Sequence, residues 1–328
     1  MKLFFNFLLD AKCLSRSQFS TYENTIRFFK YHPNDRQNAP TRIHFEALFY
    51  SKIALHMTAS NCWAFLQLLP FYEFPFDIKS SPKWTSIKYL MQIASLVTSR
   101  RFTKVMLIRA KCLARLLIRA IISDFPNANL IPKIHYLLHI IENIRRIGPP
   151  ATFWAMRFEA KHHFLKNVNK FSNFHNLMSN ISTNSAIQIA WLSHTDDVNR
   201  FSSPILDSHS QVNNSLSDPC CSNSRTVSHS ISEGDKYFVS SIVLVHREPN
   251  VYGEILQIFR CDTHSEIIFE VQLLRTLSFE EDANAYSVAI SQRILRLSSS
   301  SLPAFEPHSF YASRVHDNTF FVPLKRCV

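Results

Sequence analysis

Residues 237–246, Tyr237-Phe238-Val239-Ser240-Ser241-Ile242-Val243-Leu244-Val245-His246, mark the point where this chain changes its period. The run is β-branched and aromatic, and it stops at Glu248-Pro249-Asn250, which is turn chemistry. Residues 251–260 repeat the pattern, Cys261-Asp262-Thr263-His264 interrupts it, and 266–274 repeat it again. Three runs at about ten-residue spacing predict a small antiparallel sheet or barrel. Phe320-Phe321-Val322 supplies a closing strand. The β domain is therefore expected over 234–328.

Upstream of this switch the texture differs. Residues 201–233 hold eleven serines and no aromatic after Phe201, so they bury too little apolar surface to offset the entropy of ordering. They read as a flexible linker. Residues 1–200 carry helical periodicity instead. Helices are expected over 57–69, 86–99, 104–123, 133–146 and 154–168, with Pro70, Pro75 and Pro82 as breaks and Gly148-Pro149-Pro150 as a stop. In the 104–123 helix, Val105, Ile108, Cys112, Leu116 and Ile121 form an apolar stripe, and Lys104, Lys111, Arg115 and Arg119 a second, basic one. The fold class that follows is α+β, a mainly helical N-terminal region followed by a small antiparallel β domain.

Composition removes several functions. Only 3 of 328 residues are glycine, which excludes the glycine-rich loops of dinucleotide and P-loop enzymes. Seven scattered cysteines with no CxxC pair argue for reduced thiols, and so for a nuclear or cytoplasmic protein. No run is long and apolar enough to span a membrane, and the apolar start at residues 3–9 carries Asn6 and lacks a small-residue cleavage pattern. Charge is lopsided. Residues 1–200 hold 26 Lys+Arg against 11 Asp+Glu, whereas the remainder holds 10 against 14. A basic half points to a polyanionic partner.

The candidate chemistry is concentrated between residues 133 and 163. His135 and His139 lie one helical turn apart, as do Glu159 and His163. Imidazoles and a carboxylate are ordinary ligands of a divalent metal, so His135, His139 and His163 form a candidate metal set. The alternative is core-edge histidines bonded to backbone, with Glu159 as an ion-pair partner of Arg157 or Lys161. There is no GxSxG, and no cysteine lies in a nucleophile context. For phosphate contact the candidates are Lys104, Lys111, Arg115, Arg119, Arg145, Arg146, Arg157, Lys161 and Lys166. The alternative is a solvated basic face. Any binding would be low in specificity, because no base-reading motif is present.

Asn129-Leu130-Ile131-Pro132-Lys133-Ile134-His135-Tyr136-Leu137-Leu138-His139, Gly148-Pro149 and Trp154-Ala155-Met156-Arg157-Phe158-Glu159-Ala160-Lys161-His162 resemble a block of the CACTA-type (En/Spm-like) transposases. Phe29-Lys30-Tyr31, His56-Met57-Thr58-Ala59-Ser60, Leu68-Leu69-Pro70-Phe71 and Val251-Tyr252-Gly253-Glu254-Ile255 extend the similarity over roughly residues 25–328. The resemblance implies an RNase H-like DDE enzyme with a helical insertion, in which two aspartates and a glutamate hold two Mg²⁺ or Mn²⁺ ions. Glu159 matches the glutamate role. The aspartates have no counterpart: Asp10 is followed three residues on by Cys13, where the family motif has histidine. The resemblance therefore implies the C-terminal part of such a transposase, non-catalytic by itself and needing no cofactor. DNA would be its partner, with self-association or a separate N-terminal transposase chain as further partners. The alternatives are a metal-dependent nuclease completed by the missing aspartates, and a product with no retained function.

Overall fold

The computed structural model describes residues 16–40, 57–72, 78–81, 83–126, 132–150, 166–168, 170, 175–194, 212–213, 224–232, 235–261, 266–303, 307–312 and 319–324. The architecture is mixed α+β. Among the described residues the principal helices come first: α1 (Arg16–Phe28), α2 (Ala59–Leu68), α3 (Trp84–Val97), α4 (Lys104–Asp124), α5 (Pro132–Ile147) and α6 (Leu177–His194). Ten strands follow among the described residues, the principal ones being β5 (Ile242–Arg247), β6 (Asn250–Cys261), β7 (Glu266–Glu280), β8 (Ala285–Ser298) and β10 (Thr319–Pro323). Of the expected 154–168 helix only 166–168 fall within the described residues, and these are helical.

The helices build two cores on opposite sides of α3. Trp84, Ile87 and Met91 join Tyr22, Phe65, Leu68 and Tyr72 in one. Ile93 and Leu96 join Ala110, Leu113, Ala114 and Leu117 of α4 and Ile141 of α5 in the other. Alanine at 110 and 114, one turn apart, lets α4 approach α3 closely. Thr103 starts α4 by accepting the Met106 N–H on its hydroxyl. At its other end Lys83 donates to the Asp124 carbonyl and Ser86 to the Asp124 carboxylate, which offsets the negative helix terminus.

The β half closes on itself. β5, β6, β7, β8 and β10 pair in antiparallel sequence, and β10 pairs with β9 (Tyr311–Ala312). Just before β9, His308 exchanges both main-chain hydrogen bonds with Ile242 of β5, at 3.0 and 2.6 Å. That exchange curls the sheet back on itself at one point, giving it a barrel-like closure, and covers the outer edge of β5 at Ile242. Ile242-Val243-Leu244-Val245 is apolar on both faces because it separates two cores. Ile242 and Leu244 pack with Tyr252, Leu274, Val288 and Val322, while Val243 and Val245 pack with Ile255, Phe269 and Val271. Register shifts at Ile255/Gln257 and Gln272/Leu274 move the inward positions by one residue, so β7 buries Ile267, Phe269 and Val271 and then Leu274.

The expectation of a linker over 201–233 fails for its described residues, all of which but Ser228 are in strands. β1 (Val212–Asn213), β2 (Ser224–Val227) and β3 (His229–Ser232) are ladder strands, β2 pairing with β6 and β3 with β4 (Asp235–Phe238). Here serine is compatible with order because backbone pairing supplies the hydrogen bonds and Val227 enters the barrel-side core.

Two buried polar clusters join the helical half to the barrel. In the first, Tyr311 donates to the Asp35 carboxylate at 2.5 Å, Asn34 donates to the His308 carbonyl at 2.9 Å and Ser241 donates to Asn34 at 3.0 Å. His32 Nδ1 accepts the Asn34 N–H, which leaves Nε2–H to donate to the Ser240 carbonyl at 2.6 Å. Burial, then the Asp35 charge, hold the Tyr311 phenol far above its ordinary range, so it remains a donor. In the second cluster Asn284 donates to Ser95 at 2.9 Å and to the Leu324 carbonyl at 3.1 Å; outside it, at the surface, Lys88 pairs with exposed Asp282 at 3.1 Å. Tyr311 also lies in the first helical core.

Candidate nucleic-acid interface

Helix α4 is 21 residues long, roughly 31 Å at 1.5 Å per residue, and only one side of it is covered. The two stripes read from its sequence are in fact one face. Ala110, Leu113, Ala114 and Leu117 are buried, with Met106, Leu107 and Ile121 packed beside them, whereas Val105 and Ile108 are 73% and 71% exposed and Cys112 is exposed. Of the expected apolar stripe, Ile121 alone packs against the core. The reason is steric: small Ala110 and Ala114 carry the close contact with α3, and a period count weighted toward large aliphatics selects the opposite side.

Lys104, Lys111, Arg115 and Arg119 are all exposed on that outward face, joined at its flank by Arg109, which the sequence reading omitted. Lys111, Arg115 and Arg119 recur each turn, about 6 Å apart along the axis. A shallow groove of about 350 Å³ runs among Ile108, Lys111, Cys112, Arg115, Leu116 and Arg119. The acidic residue of α4 is Asp124, at its last turn and engaged by Ser86. The face is therefore a row of cations without a neighbouring carboxylate on its own helix, and long-range attraction for phosphate follows from charge alone.

The other predicted cations are less uniform. Arg145 is drawn to Glu142 through two bonds, 2.6 and 3.1 Å, so part of its charge is already met within α5. Arg146, in the same last turn of α5, and Lys166 are exposed. Arg157, Lys161, Glu159 and His163 lie outside the described residues. The structure thus brings together four of the nine predicted phosphate contacts on one helix and places two more at the end of α5.

His135 and His139 project from α5 into solvent, with Nε2 atoms 3.0 Å apart. They bond each other. The reading of core-edge histidines tied to backbone does not hold, because the buried side of α5 is formed by Ile141 and Ile144. Among the described residues no three His, Cys, Asp or Glu side chains converge on a point that could hold a metal ion. Glu159, the one residue matched to the Mg²⁺ or Mn²⁺ set that the resemblance implies, lies outside the described residues. No helix of the described residues is long and apolar enough to cross a membrane. The chain matches no family model, no curated protein and no solved structure.

Proposed function

We propose that this chain is a transposable-element-derived protein of CACTA-type ancestry, carrying a remnant of an RNase H-like enzyme, that binds DNA through phosphate contacts and is not itself a catalyst. The exposed row Lys104, Lys111, Arg115 and Arg119 on α4 is the observation that carries the binding part. The ancestry rests on the motif block at 129–170. Binding of this kind is electrostatic and sequence-tolerant, and it belongs to a nuclear or cytoplasmic protein that meets DNA directly, alone or as a self-associated species.

Fluorescence anisotropy with a random-sequence duplex tests it. Four phosphate contacts give a log–log salt slope near −3.6, so affinity is expected to fall about 10²-fold between 50 and 200 mM KCl. The triple change Lys111→Ala, Arg115→Ala, Arg119→Ala should flatten that slope by about 3, uniformly across sequences. Salt-independent binding, or an unchanged slope in the triple variant, sinks the proposal.

The motif block also favours a second reading, a metal-dependent nuclease completed by an N-terminal transposase chain that supplies the aspartates. With that chain added, Mg²⁺- or Mn²⁺-dependent strand cleavage should appear and should vanish in Glu159→Ala. Cleavage that survives the change removes Glu159 from the reaction.

A further inference from the structure

We propose that His135 and His139 form a two-coordinate anchor for a late divalent transition-metal ion, Cu²⁺ in preference to Ni²⁺ or Zn²⁺, on the outer face of α5. The argument is geometric. The two side chains stand one turn apart on a helix whose other side is fixed by Ile141 and Ile144. Their rings are 4.8 Å apart and inclined at 73°, and the Nε2 atoms face each other at 3.0 Å. In the metal-free pair one Nε2–H donates to the lone pair of the other, so both rings are already turned toward a common point. Admitting a metal between them needs only a tautomer change in the donor ring, whose hydrogen moves to Nδ1 and leaves the Nε2 lone pair free to ligate.

The separation is one that a single chelated ion can bridge. Two metal–nitrogen bonds of about 2.05 Å that span this separation subtend about 94° at the metal. That is close to the right angle between adjacent positions of a tetragonal or octahedral ion, while tetrahedral zinc needs the nitrogens only about 0.3 Å further apart, so the preference among ions rests on ligand affinity. Affinity for nitrogen ligands also rises to Cu²⁺ along the divalent series. Both histidines are exposed, so water can fill the remaining positions without any movement of the chain. The rigid helix supplies the second imidazole at high effective concentration, which separates this pair from other surface histidines.

Calorimetric titration of CuCl₂ into the full chain, with glycine as competing chelator, tests the proposal. One site should stand out as tightest. In His139→Ala it should weaken roughly 100-fold, to the level of a single imidazole, while His175→Ala, an exposed histidine elsewhere, should leave it unchanged. Electron paramagnetic resonance of the one-equivalent complex should show hyperfine splitting from two imidazole nitrogens in the parent and not in His139→Ala. A tight site that persists in His139→Ala, or a one-equivalent complex whose nitrogen splitting is indifferent to that change, overturns the assignment.

Discussion

Replacing Asn284 by alanine is expected to lower the unfolding free energy by about 3 kcal/mol, from two lost buried hydrogen bonds and an unfavourable backbone conformation. Asn284 is 2% exposed and has φ of 46°, in the left-handed region where asparagine is tolerated and alanine is not. Its amide reaches Ser95 on α3 and the carbonyl of Leu324 just past β10, while its own carbonyl accepts the Leu324 N–H at 2.9 Å. One side chain thus ties the β7–β8 turn and the end of β10 to a helix of the other half. Asn284→Gly separates the two contributions. Glycine relieves the backbone but loses the same bonds, so it should be milder than alanine by about 1 kcal/mol. Thermal or urea unfolding followed through both helical and strand signals would read the result. If Asn284→Ala leaves the midpoint unchanged, the clamp contributes nothing.

Gly253→Ala should cost a further sum of similar size, about 2–3 kcal/mol, because it overpacks a β core. An added Cβ at this position on β6 would stand 2.7 Å from Val271 Cγ1 and 3.2 Å from Val245 Cγ2. Val271 is fully buried and β-branched, so it has no free rotamer into which to retreat. In a chain with so few glycines, this one is required by the close passage of β6 between β5 and β7. The pairing predicts its own rescue. Gly253→Ala combined with Val271→Ala should be less destabilised than the sum of the two single changes, since the second removes the atom struck by the first. Additive or worse behaviour in that cycle would show the contact not to be the cause.

Elements with one strong signal were readable from the residues. The 104–123 and 133–146 expectations fall within a turn of α4 and α5, and Phe320-Phe321-Val322 does close against β8 through Phe320–Val288 and Val322–Tyr286. β8 escaped because Ile290, Ile294 and Leu297 repeat at four and three residues, a helical spacing, and Ile290 and Ile294 are exposed, so no strand alternation marks it. The orientation of α4 escaped for a different reason. Hydrophobicity ranks Val105 and Ile108 above Ala110 and Ala114, but the helix–helix contact is decided by size. Barrel closure at Ile242 and His308 and the joining of Asp35 to Tyr311 are long-range events with no local trace. Of the candidate site, the basic stripe Lys104, Lys111, Arg115 and Arg119 was legible, and its sharing one exposed face with Val105 and Ile108 was not. Arg157 and Lys161, also named as phosphate contacts, lie outside the described residues.

Asp35 and Tyr311, bonded at the seam between the two halves, are 276 residues apart in the chain. During synthesis the helices emerge first, yet one member of their aromatic core is Tyr311. At about 5–20 residues per second, roughly 14–55 s separate the exit of Asp35 from that of Tyr311. Over that interval Phe29 and Phe71, which pack against Tyr311 at ring distances of 5.4 and 5.9 Å, wait without it. The nascent helical half therefore completes its aromatic core only after the strands that precede Tyr311 have been synthesised.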